Sequence, residues 1–203
     1  MNKLCTAFES LKNTPSDINE HMDVLASLSS HCNTVVELGV RSGVSTHALL
    51  NGKPKILQSF DINHIGSLEQ VLLEYAIENN IIWKFYHENC LLTNNIHECD
   101  MLFIDTFHAF KQISCELFLH GNKSKKYIVF HDSVTFGYLD ELGSISTNLF
   151  SEYLKNYYDS LLNKQGIMPA IEDFVSHNSN WTVCDHYLNN NGLLVLKNEN
   201  FTY

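Results

Sequence analysis

Four apolar runs in this chain end on or beside an acidic residue. Val35-Val36-Glu37-Leu38 leads into Gly39-Val40-Arg41-Ser42-Gly43, Ser59-Phe60 stops at Asp61, Leu102-Phe103-Ile104 at Asp105, and Val129-Phe130-His131 at Asp132. Such runs have no polar face, so each reads as a strand covered on both sides. Helical stretches between them predict an α/β fold with a mostly parallel, doubly wound sheet. Strands are expected at 34–38, 56–60, 82–86, 101–104 and 127–130, and helices at 44–50, 66–79 and 109–120, the last stopped by Gly121. Acids at the C-terminal ends of parallel strands collect along one sheet edge, where folds of this class bind ligands.

The two ends of the chain are patterned differently. Thr14-Pro15-Ser16-Asp17 reads as a helix start, with threonine as cap and proline at the first helical position. Ile18, Met22, Leu25 and Leu28 continue one apolar face to about Ser30. Residues 145–163 look helical, and Pro169 opens a further short helix. Trp181–Tyr187 and Leu193–Lys197, joined by Leu188-Asn189-Asn190-Asn191-Gly192, suggest a hairpin, since asparagine and glycine accept positive φ. With no repeat or linker, the expectation is a single domain over 1–203 with a helical N-terminal cap at 1–30.

The net charge of −10 argues against a nucleic-acid partner, which needs a broad basic face. No apolar stretch approaches the roughly 20 residues that span a bilayer. The first residues lack the apolar core of a signal peptide. Six scattered cysteines without a Cys-x-x-Cys pair read as free thiols, which suits a cytoplasmic protein.

The glycine turn narrows the chemistry. A dinucleotide turn needs its middle glycine bare so that backbone can reach the pyrophosphate. Here that position is Arg41, which disfavours NAD or FAD and leaves a nucleoside without phosphates. Glu37 would receive a cationic amino group, and amides around Gly39 and Gly43 would approach a carboxylate or ribose. Ser45 is among the hydroxyl residues opening the next helix. Asp61 lies about 20 residues beyond the turn, where an acid accepts ribose hydroxyls or else caps the following loop. Asn89, in Glu88-Asn89-Cys90, stands where an adenine edge would be read.

Asp105 and Asp132 should face the same crevice, and paired carboxylates there can hold a hard divalent cation. His108, three residues past Asp105, has the ionisation range of a general base. Ser133–Glu141 is expected to form part of an acceptor wall, with Tyr138 either stacking on the acceptor or anchoring the loop.

Together, Glu37-Leu38-Gly39, Asp61, Phe103-Ile104-Asp105-Thr106-Phe107-His108, Val129-Phe130-His131-Asp132 and the terminal Asn-Gly-Leu-Leu-Val-Leu resemble the class I S-adenosylmethionine-dependent methyltransferases. The two histidine-containing motifs resemble a narrower group of small-molecule and sugar O-methyltransferases, with relatives labelled cephalosporin hydroxylase-like. The resemblance implies a seven-stranded sheet with an antiparallel last strand. It also implies S-adenosylmethionine as donor, bound by Glu37, Gly39, Gly43, Ser45, Asp61, Asn89 and Asp105. The acceptor would be a small-molecule hydroxyl, with sugars the class implied, and His108 the base beside Asp105. Magnesium-binding sugar O-methyltransferases carry an aspartate at Asp105 and a Glu-Asp pair where this chain has His131-Asp132. Imidazole suits transition metals better than magnesium. A metal at Asp105, His131 and Asp132 and a neutral His131 hydrogen-bonded beneath the site are therefore both retained.

Three rivals stand beside this reading. They are an NAD-dependent oxidoreductase on a similar sheet, a silent nucleoside-binding module, and an iron-dependent oxygenase using His108, His131 and a carboxylate. The N-terminal helices are left two roles, packing across a homo-oligomer or covering the site.

Overall fold

The computed structural model describes residues 3–201. Among them, seven strands form one sheet: β1 (Thr34–Leu38), β2 (Ile56–Asp61), β3 (Ile82–His87), β4 (Cys99–Ile104), β5 (Ser124–His131), β6 (Trp181–Tyr187) and β7 (Leu193–Asn198). Their order is β3-β2-β1-β4-β5-β7-β6. β1 to β5 are mutually parallel, while β7 pairs antiparallel with both β5 and β6.

Among the described residues, seven α-helices accompany the sheet: α1 (Lys3–Lys12), α2 (Met22–Ser30), α3 (Val44–Asn51), α4 (Leu68–Glu78), α5 (Phe110–His120), α6 (Glu152–Ser160) and α7 (Ile167–His177). Alternating strand residues feed two cores. On β4, Met101 and Phe103 pack with Leu4, Leu25, Leu49 and Leu72 on one face. Leu102 and Ile104 pack with Phe110, Ile113, Leu154 and Ile171 on the other. The period of two in strand side chains makes both sets apolar and erases any polar face.

From β1 the chain builds outward to β3, then returns to lay β4 on the opposite side of β1. That reversal opens a crevice between β1 and β4 at their C-terminal ends. Gly39 sits in it with φ +92°, and a Cβ there would lie 2.0 Å from the Asp105 carbonyl oxygen. Only a residue without a side chain lets the two strand ends approach this closely. The Asp105 amide donates to the Leu38 carbonyl at 2.8 Å, and the Gly39 amide to the Phe60 carbonyl at 2.9 Å.

Three local expectations are corrected. Thr14 does not start a helix; its hydroxyl donates to the Ser10 carbonyl at 2.8 Å, closing α1, a helix the pattern did not reveal. Ser16 Oγ instead accepts from the Asn19 amide at 3.0 Å, just before a 3-10 turn ahead of α2. The expected helix over 145–163 shrinks to α6, because Ser151 caps it by accepting from the Leu154 amide at 3.2 Å. Residues 144–146 line the cleft. α7 begins at Ile167 after Gly166 (φ +79°), so Pro169 falls inside the first turn, where its missing N–H would have no intrahelical partner anyway. No helix of the described residues is long and apolar enough to cross a membrane.

Candidate active site

A cleft of about 590 Å³ opens at the C-terminal edge of the sheet. Gly39, Asp61, Asn89, Asp105 and His108 all line it, as do Arg41, Cys90, Thr106, Phe107, Gln112 and Glu141. Of the strand-end residues read from the sequence, Asp61 and Asp105 thus meet in this cleft, while Glu37, His131 and Asp132 are not among the residues that line it.

Asp61 organises the glycine turn. Its Oδ2 accepts from the amides of Val40 and Arg41, each at 2.9 Å, and its Oδ1 from the Asn63 amide at 2.8 Å. These bonds hold Arg41 in the left-handed region (φ 48°), and Gly43 (φ 76°) then caps α3. Arg41 Nη1 reaches Asp17 Oδ2 at 2.6 Å, which fastens the turn to the N-terminal segment. Asn89 Oδ1 accepts from the Leu91 amide at 2.9 Å. The neighbouring Glu88 is held by Thr93 and by Asn95 Nδ2.

The expected contact of Glu37 and Ser45 with a donor is not what the geometry offers. Glu37 is fully buried and accepts from Ser45 Oγ at 2.7 Å, Thr46 Oγ1 at 2.9 Å and Ser59 Oγ at 2.6 Å. Neither residue lines the cleft, and the acid points inward to clamp β1, β2 and α3 together. Burial drives the Glu37 carboxyl up to about 7, against the pull of the three hydroxyls. Gly43 is likewise buried, its carbonyl accepting the His47 amide at 3.0 Å.

The second constellation is compact. His131 Nδ1 lies 3.1 Å from Asp105 Oδ1 and 3.3 Å from Asp132 Oδ2. His108 Nε2 lies 3.3 Å from the same oxygen of each carboxylate. Burial opposes charge at Asp105, His108 and His131, but the opposite charges prevail. Asp105 is held well below the usual carboxylate range by His108 and His131. His131 is pushed up to about 10 by Asp105 and Asp132. His108 is also raised, chiefly through Asp105.

On its far side, His131 Nε2 faces the backbone carbonyls of Asp17 at 3.0 Å and Asn190 at 3.3 Å. Two acceptors there require Nε2 to carry a proton, so a neutral His131 presents a lone pair on Nδ1 toward the carboxylates. That is the tautomer of a metal-ligating histidine anchored by a carbonyl. Nδ1 and one oxygen from each of Asp105 and Asp132 lie within 4.8 Å of one another. His108 Nε2 and Asp132 Oδ1 are buried without a hydrogen-bond partner among the described residues. Such orphans call for an explanation, and a cation is one.

Several participants escaped the sequence reading. Glu141 binds His108 through both backbone and carboxylate. Phe136 stacks on the His108 ring at 5.2 Å. Both fall in the segment assigned to the acceptor wall, whereas exposed Tyr138 donates to Glu172 Oε1 at 3.1 Å and anchors the loop. Gln112 and Glu116, on α5, gave no signal, since an i, i+4 polar pair reads as a solvated helix face.

No family model and no curated protein matches this chain. Solved structures do match in fold. A structure assigned as a caffeoyl-CoA O-methyltransferase from Staphylococcus aureus aligns at TM-score 0.61 and 15% identity, over 97% of this chain and 91% of that one. An O-methyltransferase from Bacillus cereus in complex with SAH aligns at 0.58 and 12%, over 97% and 89%. The SAH-bound methyltransferase PaMTH1 from Podospora anserina aligns at 0.56 and 12%, over 98% and 88%. The chain has the fold of these methyltransferases.

Proposed function

We propose that the chain is an S-adenosylmethionine-dependent O-methyltransferase acting on a hydroxyl of a small molecule, with a sugar as the acceptor class. The observation that carries this is His108. It stands in the cleft between Asp105 and Asp132, one strand away from the glycine turn that Asp61 holds. When bound, the donor supplies an electrophilic methyl group on a sulfonium. Asp61 and Asn89 would bind the nucleoside end, with Gly39 and Asp105 facing its amino-acid end. Glu37, Gly43 and Ser45 act from behind by fixing the turn.

His108 would accept the acceptor's hydroxyl proton at Nε2, while Glu141 holds its Nδ1. Against the effect of burial, the flanking carboxylates raise the imidazole's affinity for a proton, so as a base it needs them occupied. Asp105, His131 and Asp132 would hold a divalent cation, and imidazole among the ligands favours a transition metal over magnesium. When bound, that cation supplies Lewis-acid polarisation of the hydroxyl. Holding nucleophile and methyl in line would supply most of the rate.

The left-handed Arg41 in the middle of the turn favours this reading over a pyrophosphate-bearing cofactor. Thermal-shift titration with S-adenosylhomocysteine and with NAD tests the choice. Stabilisation by the first alone is expected; stabilisation by NAD alone would replace the methyltransferase reading with an oxidoreductase one.

A further inference from the structure

Glu116 is fully buried on α5 and plays no part in the chemistry above. Its Oε1 accepts from Thr106 Oγ1 at 2.7 Å, from Gln112 Nε2 at 2.8 Å and from Cys90 Sγ at 3.1 Å. Those three donors come from three separate segments, and all three line the cleft. They stand together at one end of it, with Gln112 Nε2 4.0 Å from Cys90 Sγ. Cys90 follows Asn89 in the loop after β3, the strand beyond the one that carries Asp61. A nucleoside with its ribose at Asp61 would extend its base toward this end.

The hydrogen bonds fix which way each group points. Oε1 is an acceptor in either protonation state of Glu116, because any proton would reside on the free oxygen, Oε2, which has no partner among the described residues. Gln112 must therefore give Glu116 its amino group and turn its carbonyl away. Gln112 lines the cleft, and its Oε1 makes no hydrogen bond with the described residues, which leaves it available to a ligand there. Thr106 and Cys90 likewise spend their only protons on Glu116. The base end of the cleft is thereby left with acceptors and no side-chain donor from this trio.

We propose that Glu116 is a positioning residue that orients Gln112 so that its Oε1 accepts a hydrogen bond from the exocyclic amino group of the bound nucleobase, selecting a 6-aminopurine against a 6-oxopurine. This rests on the nucleoside-donor reading above and adds the means by which the base is distinguished. A 6-oxo group in the same place would set two acceptors against each other, and a site built around one polar contact rejects the analogue that cannot make it.

Isothermal titration of the full chain with S-adenosylhomocysteine and with its 6-oxo analogue, S-inosylhomocysteine, tests the proposal. The parent should bind the amino compound about tenfold or more tightly. Gln112→Met keeps the length without the amide, and should bring the two affinities together. Glu116→Leu should do the same by freeing the Gln112 amide to turn. A purely structural role for Glu116 would weaken both nucleosides alike and preserve their ratio. If Glu116→Leu does not fold, Gln112→Met decides alone. A parent that binds both equally, or a preference that survives Gln112→Met, overturns the inference and leaves the donor reading standing. A parent that binds neither overturns both.

Discussion

His108 and Glu141 hold one another through backbone and side chain alike. The Glu141 amide donates to the His108 carbonyl at 2.8 Å, and Glu141 Oε2 accepts from the His108 amide at 3.1 Å. The same oxygen lies 3.2 Å from His108 Nδ1. With Nδ1–H directed at a carboxylate, Nε2 is the atom left on the side of Asp105 and Asp132, 3.3 Å from each, and is the one free to take a proton. Once an acceptor is in hand, His108→Ala should lower turnover about 10²–10⁴-fold with S-adenosylhomocysteine affinity unchanged. Normal turnover in the variant would remove His108 from the role.

Asp61 should matter to the nucleoside twice over, as a cleft-wall acceptor and as the anchor of the Val40 and Arg41 amides. Asp61→Ala is expected to weaken S-adenosylhomocysteine binding by about 1–3 kcal/mol, the scale of polar groups left unpaired. Calorimetry of parent and variant under one buffer measures it, and equal affinities would reduce Asp61 to a loop cap.

The cluster of Asp105, His131 and Asp132 makes a prediction independent of turnover. Manganese or cobalt should raise the melting temperature more than magnesium does, and His131→Ala should abolish the difference. At a hundred times its dissociation constant, a metal binding only the folded state adds about 2.7 kcal/mol. Indifference of the parent to all three ions would leave His131 as a charged structural partner of the two aspartates.

Glu37 links burial to pH. Its folded-state carboxyl, at about 7, binds a proton more tightly than the unfolded one near 4.5. Its contribution to stability is therefore complete below about 4.5 and falls away as pH rises through 7. Urea midpoints for the parent and Glu37→Gln, taken from pH 4.5 to 8, should diverge, with the variant losing less stability as pH rises. Parallel curves would show that Glu37 carries no proton in that window.

The sequence by itself determined the sheet and its ligand-bearing edge. Apolar runs such as Leu102–Ile104 have no polar face, and a strand buried on both sides has little alternative to a parallel, helix-covered sheet. The acids Asp61, Asp105 and Asp132 terminate such strands, so their convergence follows from the strands being parallel. Tertiary structure alone decided which acids face outward. Glu37 stands one residue short of the end of β1 and Asp61 ends β2, yet three hydroxyls from β2 and α3 enclose the first and the cleft receives the second. It also decided that Ser151, rather than a residue near 145, starts α6, and that Gln112 gives its amide N–H to Glu116. Each of these outcomes depends on hydrogen-bond partners far away in the chain, which local periodicity cannot register.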